Sequence, residues 1–127
     1  MNILDKTADF ARSLRESPEF LRFEEIKSEV EKKSECCEIL REYRARQFAL
    51  ELAEISGEGV DEVSDALADI CAQMEQDALL ERYLRAEFDL HCLMTKIQTV
   101  FAENMGVTAG EYFSLDGVEK SRSGFLN

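Results

Sequence analysis

Five side chains in this sequence could ligate a soft metal, or supply a nucleophile and its base: Cys36, Cys37, Cys71, His91 and Cys92. Cys36 and Cys37 are adjacent, in the stretch SECCEIL, and admit three readings: a redox disulfide, half of a metal site, or two ordinary helix residues. The spacing argues against the first two. No Cys-x-x-Cys pair occurs, and the Cys36-Cys37 pair lies more than thirty positions from the other ligands. A disulfide between neighbours would strain the peptide joining them and interrupt a helix. A cysteine nucleophile needs a base within hydrogen-bond reach. His91 points about 100° away from its own helical neighbour Cys92. Cys71 lies beside Leu67, Ile70 and Met74, where a thiol behaves as a small core hydrophobe. Acid pairs such as Glu24-Glu25 and Glu31-Glu35 are what any acidic helical chain contains. The GEG at 57–59 lacks the strand before it and the lysine after it that a phosphate-binding loop requires. The sequence therefore predicts no catalytic residue, no metal or other cofactor, and no small-molecule substrate.

The elements that carry these residues read as helices throughout. The first runs from Ile3 to Glu16, with Ile3, Phe10, Ala11 and Leu14 on one face. Ser17-Pro18-Glu19 restarts the chain, with a capping hydroxyl, a proline suited to the first helical position and an acid for the positive end of the dipole. The second helix carries Phe20, Phe23, Ile26 and Val30 and runs out at Glu31-Lys32-Lys33. A third reaches from Ser34, its expected cap, to Ile55, and Gly57 and Gly59 end it. A fourth, Asp61 to Gln76, presents Val63, Leu67, Ile70 and Met74, and Asp77 caps a fifth from Ala78 to Asn104, stopped at Gly106.

The third and fifth helices are informative beyond their length. On the fifth, Leu79, Tyr83, Ala86, Leu90, Leu93, Ile97 and Val100 form a continuous stripe, widened by Leu80, Met94, Phe101 and Met105. Arg82, Arg85, Asp89, Lys96 and Glu103 gather opposite. On the third, Cys36, Ile39, Tyr43 and Leu50 follow one flank, and Cys37, Phe48, Leu52 and Ile55 another, with Arg44, Gln47 and Glu51 between. Two apolar flanks describe a helix wedged between two partners, one of them from another subunit. The expected fold is all-α: about five helices in a bundle, the third and fifth long, oligomerising through helix faces. Tyr43, Leu50, Tyr83, Leu90, Leu93, Ile97, Val100 and Phe101 are the expected oligomer or partner interface.

With 127 residues, 45% apolar and 33% charged, the chain suits one globular domain, expected over 1–105. Residues 106–127 lose the periodicity and read as a variable, mobile tail, or as a docking segment using Tyr112, Phe113, Leu115 and Phe125. A net charge of −12 opposes direct nucleic-acid binding, which needs a basic stripe to displace counterions. No leader with a basic then apolar pattern opens the sequence, and no apolar run approaches the roughly 20 residues of a bilayer span. The expected location is the cytoplasm, where thiols stay reduced.

The order of elements and several local phrases resemble the YlbF/YmcA family of small helical bacterial proteins, over roughly residues 3–105. The phrases are LDKTADFARSLRESPEFLRFEEIKSEVE, CCEILREYRARQFALEL and DALLERYLRAEFDLHCLMTKIQTVFAENM. Ser17, Pro18, Glu19 and Phe20 match the family's first phrase, and Asp77, Leu80, Tyr83, Leu84, Ala86 and Glu87 its second. The resemblance implies an all-helical protein that self-associates and acts as a regulatory adaptor without catalytic activity. It implies related proteins as partners, in a complex that affects competence, sporulation and biofilm formation and assists ribonuclease Y in messenger RNA processing. Some such complexes carry iron–sulfur clusters on cysteines that include C-terminal ones, whereas this chain has no cysteine after Gly106. Three functions stand at this point: an adaptor, a homo-oligomeric structural protein, and an iron–sulfur redox sensor.

Overall fold

A computed structural model describes residues 1–107. The expectations for the tail beyond Val107, including its docking aromatics, lie outside these residues. Five helices follow one another: α1 (Ile3–Arg15), α2 (Pro18–Glu31), α3 (Ser34–Ser56), α4 (Val60–Glu75) and α5 (Ala78–Met105). No strand occurs among the described residues.

The ends of these helices are set by local chemistry. Ser17 Oγ accepts from the Phe20 amide at 3.2 Å with Pro18 following it, and Asp77 Oδ1 accepts from Leu79 and Leu80 at 2.9 and 3.0 Å. Asn2 and Asp5 form a reciprocal capping box that starts α1. Gly57 and Gly106 close α3 and α5 at φ 76° and 75°, a left-handed turn that side chains with a Cβ resist. One expectation is corrected. Ser34 does not cap α3 but is its first helical residue, and the capping position falls on Lys33, whose side chain makes no capping bond.

α2 packs along α5 and α3 along α4, while α2 also touches α3 and α4 touches α5. The result is a four-helix bundle with α1 attached at its edge. Its core comprises Ile26 and Val30 of α2, Cys36, Leu40 and Tyr43 of α3, Ile70 and Met74 of α4, and Leu79, Leu80, Tyr83 and Ala86 of α5. These are the C-terminal halves of α2 and α4 and the N-terminal halves of α3 and α5, so the core occupies one end of the molecule. Val30, Met74 and Leu80 are wholly buried, and each such side chain contributes about 1.5–3 kcal/mol. The two ion pairs joining α2 to α5, Arg22–Asp89 at 3.5 Å and Arg82–Glu29 at 3.6 Å, are half-exposed. Pairs of that kind contribute about 0–1 kcal/mol, so apolar packing holds the bundle and the charges tune it.

Beyond this core, all of α1 and the second half of α5 project, with Ala102 still buried. The second half of α3 is lined by α4, where Ala53 is buried and Arg46 Nη1 donates to the Ala66 carbonyl at 2.7 Å, and leaves Phe48, Leu52 and Ile55 outside. α1 buries no residue, although Ile3, Phe10 and Leu14 share a face. Its one ring contact with α5 sets Phe10 edge-on to Phe101, centroids 5.5 Å apart.

Candidate interaction surfaces

The core ends in a polar clasp between α3 and α5. Tyr43 fills the interior with its ring, and its hydroxyl donates to Glu87 Oε1 at 2.6 Å while accepting from Gln47 Nε2 at 2.9 Å. Arg44 Nη2 donates to the Tyr83 hydroxyl at 3.0 Å, and the Tyr83 ring leans on Phe23 at 5.3 Å. Burial pushes the Tyr43 phenol far above the usual tyrosine range, and the bond to Glu87 adds to it. Burial also raises Tyr83, against the opposing pull of Arg44. Phenols held protonated in this way tie helices together rather than exchange protons. The best-formed cleft lies elsewhere, about 590 Å³ between Glu29, Lys32, Lys33, Asp77, Leu79 and Arg82, and its charges of both signs leave no directed field.

The thiols do not converge. Cys36 is buried in the core, and burial followed by Asp77 raises its pKa. Cys37 leaves the helix on another side, its Sγ 3.4 Å from the carbonyl oxygens of Val30 and Glu31, where it donates weakly to the end of α2. Cys71 is half-buried and also raised by burial, so thiolate is scarce at neutral pH. All four cysteines are free, and among the described residues no three His, Cys, Asp or Glu side chains come together as a metal would require. Among the described residues the four thiols therefore do not fit the iron–sulfur group that the family resemblance implies for some complexes.

The expected interface residues divide. Tyr43 and Tyr83, 6% and 1% exposed, lie inside the chain's own core, where their hydroxyls complete the clasp; neither offers a surface to another chain in this conformation. Leu50 is half-buried on α3. Leu90, Leu93 and Ile97 are half-buried and Val100 and Phe101 exposed, all on the projecting half of α5 beside α1. Two further exposed apolar groups lie outside the expected set. Ile3 and Leu4 are exposed at the start of α1, whose Phe10 meets Phe101 of α5, and Phe48, Leu52 and Ile55 form a separate stripe on α3. The amphipathic pattern of α1 was the available signal for the first. For the second it was the second apolar flank of α3.

A family profile described as control of competence regulator ComK, YlbF/YmcA, matches residues 3–105. The chain belongs to the YlbF/YmcA family. That description makes it a member of a regulatory rather than an enzymatic family. Among curated relatives, a UPF0342 protein of Caldicellulosiruptor bescii is 29% identical over 106 residues, covering 82% of this chain and 88% of the relative. UPF0342 proteins of Caldicellulosiruptor saccharolyticus and Halothermothrix orenii are 28% and 23% identical, covering 80% and 87% of this chain and 86% and 97% of those relatives. No solved structure gives a significant match. As a member of this family the chain is all-α, and no described helix is long and apolar enough to cross a membrane.

Proposed function

We propose that this protein is a non-catalytic regulatory adaptor that acts by binding other proteins in the cytoplasm, including copies of itself. The observation that carries the reading is the large exposed apolar side chains of α1 and the end of α5. Val100 is 54% exposed, Leu4 74% and Met105 58%. An apolar surface of this kind on a charged protein serves as a contact for another chain. The surface is formed by Leu90, Leu93, Ile97, Val100 and Phe101 together with Ile3, Leu4 and Phe10, on a domain of residues 1–105. By family resemblance, the partners are other regulatory proteins, and the process is control of competence, sporulation or biofilm formation through ribonuclease Y-dependent messenger RNA processing.

The test is affinity purification from the native host followed by mass spectrometry, with the unaltered chain and with Val100→Glu. The unaltered chain is expected to recover a defined regulatory protein, and the variant to lose it while keeping its helical circular dichroism. Recovery of the same proteins by both chains overturns the assignment of this surface. Recovery of nothing but the chain itself overturns the adaptor reading in favour of a homo-oligomeric structural role.

A further inference from the structure

Phe48, Leu52 and Ile55 of α3 are 60, 50 and 58% exposed. On the helix they fall within about 60° of one another, turned away from the buried Tyr43 and Ala53, and span about 10 Å, or two turns. The two ends of this apolar stripe differ in charge. At its start the charges are balanced and engaged: Arg46 pairs with Glu42, Arg44 holds the Tyr83 hydroxyl, and Arg41 lies one turn after the exposed Glu38. At its end they are one-sided. From Gln47 to Glu81 the sequence has ten acids and no lysine or arginine, whereas the other 92 residues hold 17 acids against 15 bases. Nearly all of the net charge of −12 is therefore gathered between the second half of α3 and the start of α5, and is not a uniform solubilising coat. Glu51, Glu58, Asp61, Glu62, Asp65 and Asp69 are exposed and, among the described residues, have no ion-pair partner. A helix C-terminus ordinarily favours cations, since its free carbonyls carry partial negative charge. The last turn of α3 has no basic residue; Glu51 precedes it and Glu58 follows it. The chain thus sets negative charge where its own helix end disfavours it, beside apolar side chains that it leaves uncovered.

We propose that this stripe docks an amphipathic helix of a different protein, one with leucine-like anchors at spacings of three and four residues and lysines or arginines at the end that meets Ile55 and Glu58. Apolar anchors cover Phe48, Leu52 and Ile55, and the basic end answers both the acids and the carbonyl end of α3. Nucleic acid and anionic lipid are repelled by the same acids, and a purely apolar occupant leaves them unanswered. The site rests on the adaptor reading and gives the adaptor a second contact, on a different helix from the α1–α5 surface. Two turns of one helix offer far less than the roughly 800 Å² per partner of a standard interface, so the contact is weak and reversible.

The probe is a synthetic peptide of about five helical turns, with leucine along one face and lysine gathered at one end. It is titrated into the full chain by fluorescence anisotropy, beside a scrambled peptide of the same composition. The ordered peptide is expected to bind on the order of 10 μM at low salt and more weakly as salt rises, and the scrambled one about tenfold less tightly. Leu52→Gln, neutral and half outside already, is expected to weaken binding about tenfold with thermal unfolding unchanged. Glu51→Lys with Glu58→Lys is expected to weaken it by a similar factor while raising the melting temperature slightly, because cations suit the end of α3. Damage to the fold cannot produce that combination. Val100→Glu is expected to bind the peptide unchanged. Equal binding of the scrambled peptide, undiminished binding by Leu52→Gln, or loss of binding in Val100→Glu each overturns the proposal. So does a change in the chain's own oligomeric state on Leu52→Gln, read by sedimentation velocity, since a second copy then covers the stripe. In each of these cases the partner purification described above, which turns on Val100, decides the adaptor reading independently.

Discussion

Tyr43 and Tyr83 show how one side chain can serve packing and polarity together. Both keep their protons more tightly when folded than when unfolded, because burial disfavours the phenolate. The stability that follows is fully present below pH of about 10, where tyrosine ordinarily ionises, and is lost as pH rises beyond it, since the unfolded chain releases its protons first. The slope reaches about 1.4 kcal/mol per pH unit for each tyrosine. Urea unfolding between pH 9 and 11 should therefore show a steep fall that Tyr43→Phe makes shallower, at a cost of about 1 kcal/mol at neutral pH for the lost hydrogen bond to Glu87. The adjacent cysteines separate in the same way. Cys36→Ala, in the core, is expected to cost about 1 kcal/mol in chemical denaturation, and Cys37→Ala, which loses only weak sulfur bonds to the end of α2, measurably less.

At the scale of elements, the helix starts are unequal. Asp77 holds two amides of α5, whereas the Lys33 side chain holds none of α3. Asp77→Ala should lower stability by about 1 kcal/mol. Lys33→Ser, at an extended backbone already suited to a cap, should raise it by a few tenths to about 1 kcal/mol, read as a shift in melting temperature. Length is the other inequality. α2 has 14 residues and α5 has 28, so α2 can cover only about half of a helix some 42 Å long. α4, with 16 residues, starts at the turn beside the end of the 23-residue α3 and leaves only the N-terminal turns of α3 beyond its reach, where Cys36 joins the shared core.

For the whole molecule, the mismatch between α2 and α5 places the core at one end and the exposed half of α5 at the other. Hydrogen exchange should reveal the gradient. Amides of α1 and of α5 beyond Leu90 are expected to exchange well before those around Tyr83 and Ala86, since little burial opposes their opening. Saturating partner or raised protein concentration should slow the exposed regions selectively. On the proposed function, Val100→Glu is expected to alter contacts with other chains and leave the bundle folded, whereas truncation of the wholly buried Leu80 or Met74 is expected to destabilise it.

By itself the sequence determined the five helices, the turns at Ser17-Pro18, Gly57 and Asp77, and the family, because capping chemistry and apolar periodicity act over three or four residues. It also showed that Cys36 and Cys37 diverge, since 100° per residue is a property of any helix. It missed the start of α3, where a two-residue turn shifted the cap from Ser34 to Lys33. It grouped Tyr43 and Tyr83 with Val100 and Phe101, because all lie on apolar stripes and a stripe does not say what covers it. Only the tertiary structure decided that. α2 runs out partway along α5, so α5 residues within its reach became core and those beyond it surface. On α3 the side facing α4 was covered, whereas Phe48, Leu52 and Ile55, turned away, were not.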